Sequence, residues 1–371
     1  MHERYLRVEG SAQRRGEAVG RAWRQRIITI FKYAQHATVD KDGRTLSRWL
    51  PHARDLLPHI EQWAPDTLAE MKGMALGAGL AFDDILLLTC AYEKWFNYHA
   101  ADHCTGFAAM GSATPDGALI CGQTNDESLL HWAAGQLDGV LHHHDSDGME
   151  TLLYTHPGIP AYMGMNSAGL CLLWMAIENG ERASGLPTNV LIRETLRRTS
   201  LAAAEDYIRT VPRSVPNNYL MSHPVEGICN IESTPGRFVV TRSARSLCHT
   251  NHILDPAMAA GDLKKGDPTS STLARYRAMA SLLKAHDGCI DLPQSCAMLS
   301  DHSDYPESIC THPRPTAVHA KTLAALIFQP GTGRMHIAFG NACETPFRTF
   351  SFSAAAFQPS SANRASARRW S

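Results

Sequence analysis

Apolar side chains recur at helical spacing through the first hundred residues and at strand spacing after them. Over residues 16–34, Val19, Trp23, Ile27 and Phe31 fall on one stripe with Arg21, Arg24 and Arg26 turned toward water, which predicts an amphipathic helix. Residues 46–63 keep the period but carry Pro51 and Pro58, so a helix interrupted at the prolines is expected. Pro65 opens another helix, with Leu68, Met71 and Ala75 on one face and Gly77 and Gly79 at its end. Asp83 or Asp84 is placed to cap a third, which carries Ile85, Leu88 and Tyr92. Past residue 103 the apolar runs shorten and are bounded by Gly, Pro, Asn or Asp. They predict strands at 137–142, 151–155, 170–177, 219–222, 228–231, 238–241, 323–328 and 335–339. Two helical patterns interrupt them, at 188–207 (broken near Ser200) and at 270–286. Runs of strands with separate helices imply an α+β fold of antiparallel sheets layered with helices.

Composition narrows the function classes. The 371 residues are 44% hydrophobic and 19% charged, an ordinary globular balance with a large core. A net charge of -1 gives no general pull toward nucleic acid or a membrane surface. The start, Met1-His2-Glu3-Arg4, lacks the apolar stretch of a secretory signal, and no run approaches the roughly 18 apolar residues of a spanning helix. A cytoplasmic protein is expected. The ten cysteines show no CxxC spacing, which reads as reduced thiols and implies neither a zinc site nor another metal or cofactor. His142-His143-His144-Asp145 with Asp147 has ligand chemistry, but three successive strand side chains cannot face one ion, so a solvated loop is expected.

The strongest candidate chemistry lies in the two apolar runs that flank Thr114-Pro115-Asp116-Gly117, a hairpin signal. The first run is Cys104-Thr105-Gly106-Phe107-Ala108-Ala109 and the second is Ala118-Leu119-Ile120-Cys121-Gly122-Gln123, leading to Asp126-Glu127. A lone strand cysteine is ordinarily a buried core residue. At the start of a strand it also suits an enzyme that cuts its own chain just before the nucleophile and uses the freed α-amine as base. Antiparallel neighbours lie about 4.8 Å apart, so Asp126 and Glu127 return to the neighbourhood of Cys104. The papain-type pattern around a catalytic cysteine is absent.

This hairpin resembles the processed junction of the isopenicillin N acyltransferase family of N-terminal nucleophile hydrolases. The matching positions include Cys104, Thr105, Phe107, Ala108, Asp116, Gly117, Gly122, Gln123 and Asp126. Further similarity lies in Thr250-Asn251-His252, in Ser270-Ser271-Thr272 with Arg275, and in Asp301-His302 with Pro306-Glu307-Ser308-Ile309-Cys310. It runs from about Gly10 to Phe350. The resemblance implies a four-layer αββα sandwich in one domain, 1–350, whose mostly helical segment 1–103 precedes a catalytic part, 104–350. Residues 351–371, rich in Ala, Ser and Arg, are expected to form a flexible tail.

The resemblance also implies roles. Cys104 is the nucleophile, released by cleavage of the His103–Cys104 bond, and Asn251 stabilises the oxyanion. Asp126 and Thr105 complete the catalytic set, while Glu127, His252 and Ser308 line the substrate site. His103 departs from the glycine often found before the cysteine, and Asn125 and Glu127 replace aromatic positions of the family. The expected reaction is hydrolysis or acyl transfer on a linear amide through a thioester. The substrate is a small amide, with an amine or acyl thioester as second substrate where transfer is the reaction. The acidic pocket favours an amide bearing a cationic amine. The alternative is an uncut, non-enzymatic binding protein of the same fold. A denaturing gel separates the two, because cleavage yields fragments of about 11 and 29 kDa at about 110 Da per residue.

Overall fold

In a computed structural model of the chain, described over residues 4–37, 46–93, 103–128, 137–267, 270–313 and 320–353, the N-terminal helical period becomes five helices. They are α1 (Ala12–Ala22), α2 (Arg24–Ala37), α3 (Leu50–Trp63), α4 (Pro65–Ala78) and α5 (Phe82–Thr89). Pro51 sits in the first turn of α3, where no intrahelical N–H is needed. Pro58 lies inside that helix without ending it, contrary to the expected interruption. Ala53, Leu56 and Ile60 are buried around it, and their packing outweighs one lost hydrogen bond. Gly79 closes α4 in the left-handed conformation, φ 66°. Asp84 caps α5 from inside the first turn, its carboxylate accepting from the Ala81 N–H at 3.1 Å.

Gly77 does not end α4 but serves as a contact. α1 and α4 touch backbone to backbone: a Cβ on Gly16 would lie 1.9 Å from the Glu70 carbonyl oxygen, and one on Gly77 would lie 2.1 Å from that of Glu17. Only glycine permits this approach.

The strands are β1 (Tyr5–Glu9), β2 (His103–Gly111), β3 (Gly117–Ser128), β4 (Gly139–His144), β5 (Glu150–Thr155), β6 (Met163–Asn166) and β7 (Cys171–Ala176). They continue as β8 (Asn217–His223), β9 (Gly227–Ser233), β10 (Phe238–Ser243), β11 (Ser246–His249), β12 (Ala320–Gln329), β13 (Arg334–Ala338) and β14 (Arg348–Ser351). Eight form one sheet in the order β1-β4-β5-β6-β7-β8-β9-β10, and six form the other, β11-β2-β3-β12-β13-β14. Pairing is antiparallel throughout except between β1 and β4, which run parallel.

The His142–His144 run is a strand, not a solvated loop. His142 and His143 are buried, His142 bonding Glu150 at 2.6 Å and His143 facing Glu70 at 3.4 Å. Each imidazole thus has a buried carboxylate beside it in place of the water a loop would have supplied.

Two further helices, α6 (Thr188–Thr195) and α7 (Leu201–Thr210), join α1–α5 around the eight-stranded sheet, while α8 (Thr272–Ala285) and α9 (Leu292–Leu299) pack on the six-stranded one. Alternation along β2 fixes the layers. Cys104 and Ala108 enter the core between the sheets, and Phe107 and Ala109 enter a second core beneath Met279, Leu283 and Met298 of α8 and α9. The fold is therefore α+β, with two helical layers enclosing two sheets. Among the described residues no helix is long and apolar enough to cross a membrane. The chain remains ordered into the expected tail, since β14 includes Ser351 and the Ser353 N–H donates to Glu150 at 2.9 Å; residues 354–371 lie outside the described residues.

Candidate active site

Cys104 is the second residue of β2 and is 2% exposed. On one side it pairs with Asn125 of β3. On the other, the short edge strand β11 pairs His249 with Gly106 and delivers Thr250 and Asn251 beside Cys104. Asn251 is held at both ends. Its N–H donates to Thr272 Oγ1 at 2.8 Å, and its Nδ2 donates to the Ala176 carbonyl at 2.9 Å. Its Oδ1 accepts from the Cys104 backbone N–H at 2.7 Å. The amide oxygen thus addresses the nitrogen of the His103–Cys104 bond.

Arg275, fully buried in the first turn of α8, ties these groups together. Its guanidinium donates to the Cys104 carbonyl at 2.5 Å, to Thr105 Oγ1 at 3.0 Å, to Asn251 Oδ1 at 3.0 Å and to Ser271 Oγ at 2.9 Å. A planar fork with several fixed donors suits this multiple contact. The sequence expectations did not place Arg275 among the site residues. The signal was its position three residues after Thr272, within a segment already noted for family similarity.

Asp126 and Glu127 both lie near Cys104 in register but on opposite faces of β3, as a period of two requires. Asp126 faces the helical side with Thr124. A β-bulge between Thr322 and Ala324 turns the Thr322 hydroxyl onto it at 2.6 Å. Burial raises the Asp126 pKa to about 7 against the opposing pull of Arg275 and the threonine hydroxyls. Glu127 shares the inner face with Cys104 and Asn125. The Tyr162 hydroxyl lies 3.2 Å from its carboxylate and that of Tyr92 lies at 3.5 Å. Asn125 accepts from Tyr162 at 2.7 Å and donates to Tyr154 at 3.2 Å. The rings of Tyr92 and Tyr162 stand edge-on to Trp174 with centroids 4.8 and 4.9 Å away. Both carboxylates are fully buried, so only Glu127 shares the face of the Cys104 side chain.

The other expected residues sit further out. His252 Nδ1 lies 3.0 Å from Thr272 Oγ1 and 3.1 Å from Thr250 Oγ1, and burial, with the nearby His249, lowers its pKa to about 4. It is neutral at pH 7 and braces the Thr272 hydroxyl that holds Asn251. Ser308 donates to the Cys310 carbonyl at 2.8 Å, within its own loop. From that loop it is Thr311 that reaches inward: its N–H donates to Thr322 Oγ1 at 2.9 Å, one contact from Asp126. A separate cavity of about 600 Å³, lined in part by Glu232, Cys248, Leu254 and Tyr276, includes none of Cys104, Asn251, Asp126 and Arg275.

Residues 113–344, more than half of the chain, match the family described as acyl-coenzyme A:6-aminopenicillanic acid acyl-transferase. The match begins after Cys104 and includes Asp126, Asn251 and Arg275. Similar solved structures include a penicillin V acylase from Agrobacterium tumefaciens, at 12% identity over 67% of this chain and 86% of that one, with a TM-score of 0.46. A mutant of the conjugated bile acid hydrolase from Clostridium perfringens matches at 11% identity over 67% of this chain and 97% of that one, with a TM-score of 0.40. No curated protein matches the chain. With more than half of its length matched, the chain belongs to the acyl-coenzyme A:6-aminopenicillanic acid acyl-transferase family, and it is an enzyme of the acyl-transferring class.

Proposed function

We propose that the chain cuts itself between His103 and Cys104 and then acts on a linear amide through a thioester on Cys104. The observation that carries this reading is the grip on Cys104: its N–H on Asn251 Oδ1 and its carbonyl on Arg275. In the cleavage step the Cys104 sulfur attacks the His103 carbonyl. The C–N bond breaks, the nitrogen takes up the thiol proton and a thioester remains. Water hydrolyses the thioester, leaving a carboxylate on His103 and a free thiol and α-amine on Cys104.

An α-amine has an ordinary pKa of about 7.7–8.0, so a useful fraction is neutral near pH 7 and can accept the thiol proton. Arg275 beside the same residue favours both the thiolate and the uncharged amine. In turnover the thiolate attacks the substrate carbonyl, the protonated amine gives its proton to the departing nitrogen, and the acyl group stays on sulfur. Water or an amine resolves the thioester. Asn251 holds the α-amine through Oδ1 and offers the Nδ2 hydrogen not bonded to the Ala176 carbonyl to the developing oxyanion. Asp126 acts from the opposite face by steadying Arg275, with Thr105 as a further contact of that guanidinium. His252 and Ser308 act as outer supports of the pocket.

The substrate reading follows from Glu127. A buried carboxylate on the nucleophile's face, beside Tyr92, Tyr162 and Trp174, favours an amide bearing a protonated amine, through Coulomb attraction and ring-face contact. Two measurements test the proposal. Mass determination of the purified protein is expected to give a fragment beginning at Cys104, and Cys104→Ala to stay whole; a fully active, uncut wild type overturns the amine-base mechanism. For matched amides with and without a terminal ammonium, kcat/KM is expected to favour the charged one, and Glu127→Gln to erase the preference. A preference for the neutral amide that ignores the substitution rejects the cationic substrate.

A further inference from the structure

Away from Cys104, four side chains from two connections converge: His302, Cys310 and His312 between α9 and β12, and Cys343 between β13 and β14. Their donor atoms all lie within 4.8 Å of one another. The pairwise separations are 3.1 Å between the two Nε2 atoms, 3.6 Å between the two sulfurs, and 3.7 and 3.4 Å from His312 Nε2 to Cys310 and Cys343. Zinc bonds of about 2.3 Å to sulfur and about 2.0–2.1 Å to nitrogen, set tetrahedrally, require about 3.8 Å between sulfurs, about 3.4 Å between nitrogens and about 3.6 Å between unlike atoms. The observed separations follow that pattern to within a few tenths of an ångström.

We infer that His302, Cys310, His312 and Cys343 form a structural zinc site. The donor set is the mixed thiolate and imidazole set that zinc takes, and four protein ligands close the coordination sphere. Both thiols give up their protons as the metal binds, so the two negative charges balance the ion. Outer contacts are in place as well. Asn341 Nδ2 donates to Cys310 Sγ at 3.3 Å, and the Glu344 carboxylate lies 3.8 Å from His312 Nδ1. Short cysteine spacings along the sequence do not reveal the site, because its ligands come together only when the β13–β14 connection folds against the loop before β12. The site has a consequence for catalysis. Thr311, between two of the ligands, is the residue whose N–H holds the Thr322 hydroxyl against Asp126.

The test uses full-length protein purified under reducing conditions. Elemental analysis is expected to give one zinc per chain. Exchange for cobalt is expected to give the visible bands of tetrahedral cobalt with thiolate charge transfer in the near ultraviolet. Cys343→Ser and His302→Ala are each expected to weaken metal retention at least tenfold, whereas Cys289→Ser, at an exposed cysteine outside the cluster, leaves it unchanged. Folded wild type that takes up neither metal overturns the inference. So does a Cys310–Cys343 disulfide in the reduced preparation, or a wild-type cobalt spectrum in both ligand variants. These readouts do not depend on Cys104 or on cleavage, so this inference and the proposed reaction fail separately.

Discussion

Arg275 bonds Cys104, Thr105, Asn251 and Ser271, so geometry around Cys104 depends on a single guanidinium. Arg275→Lys keeps the charge and loses the fork. A hydrogen bond to a charged group is worth about 1.5–3 kcal/mol, so one lost contact is expected to slow cleavage about ten- to a hundredfold, read from a pulse-chase of the cut chain. Unchanged cleavage would remove Arg275 from the machinery. Asp126 gives a second prediction. Its pKa is about 7 in the fold against an ordinary 3.8, so between those values the native chain holds a proton that the unfolded chain has lost. Stability from this group is therefore greatest below about pH 4 and declines as pH rises to about 7. Asp126→Asn is expected to flatten that part of the urea-midpoint profile. At this scale the sequence was informative where period and motif agreed. Cys104 and Asn251 were legible, and the opposite faces of Asp126 and Glu127 follow from strand alternation. The grip of Arg275 was not, because an arginine in an amphipathic helix reads as a solvated residue until its tertiary neighbours are known.

The elements divide by length. Eight strands after Cys104, the β2–β3 hairpin and the break at Ser200 follow from local pattern. The unanticipated strands β1, β6, β11 and β14 are four or five residues long, a length at which alternation gives a weak signal. One of them, β11, is the strand that brings Asn251 to Cys104, so the site's assembly was hidden more than its members. The glycines at the α1–α4 contact supply an element-scale prediction. Gly16→Ala places a methyl group against the Glu70 backbone and is expected to cost about 1–3 kcal/mol or more. Gly266→Ala meets nothing within 4 Å and is expected to stay within about 0.5 kcal/mol. Urea midpoints of the two variants decide it, and equal midpoints would refute the close contact.

For the whole molecule, the segment before Cys104 is built into the rest. β1 pairs in parallel with β4, and Glu70 of α4 bonds Arg193 of α6 at 2.8 Å in a fully buried pair. Burial opposes the charge on Glu70, but the Arg193 guanidinium and His143 hold its carboxyl well below the usual range. Fragments of about 11 and 29 kDa are therefore expected to run together in native gel filtration and to part only in denaturant. Separate elution under native conditions would contradict the buried pairing.

The contacts to Cys104 also set an order in time. Asn251 lies 147 residues downstream of the nitrogen it holds, and Arg275 lies 171 residues downstream of the carbonyl it binds. A growing chain emerges at about 5–20 residues per second, so Cys104 leaves the ribosome many seconds before either partner exists. Under the proposed self-cleavage, the nascent chain is expected to stay inert toward itself until β11 and α8 have docked, so that the cut would report the arrival of correctly folded distant sequence. A ribosome-stalled chain ending before Asn251 is expected to remain intact, and one ending well after Arg275 to mature.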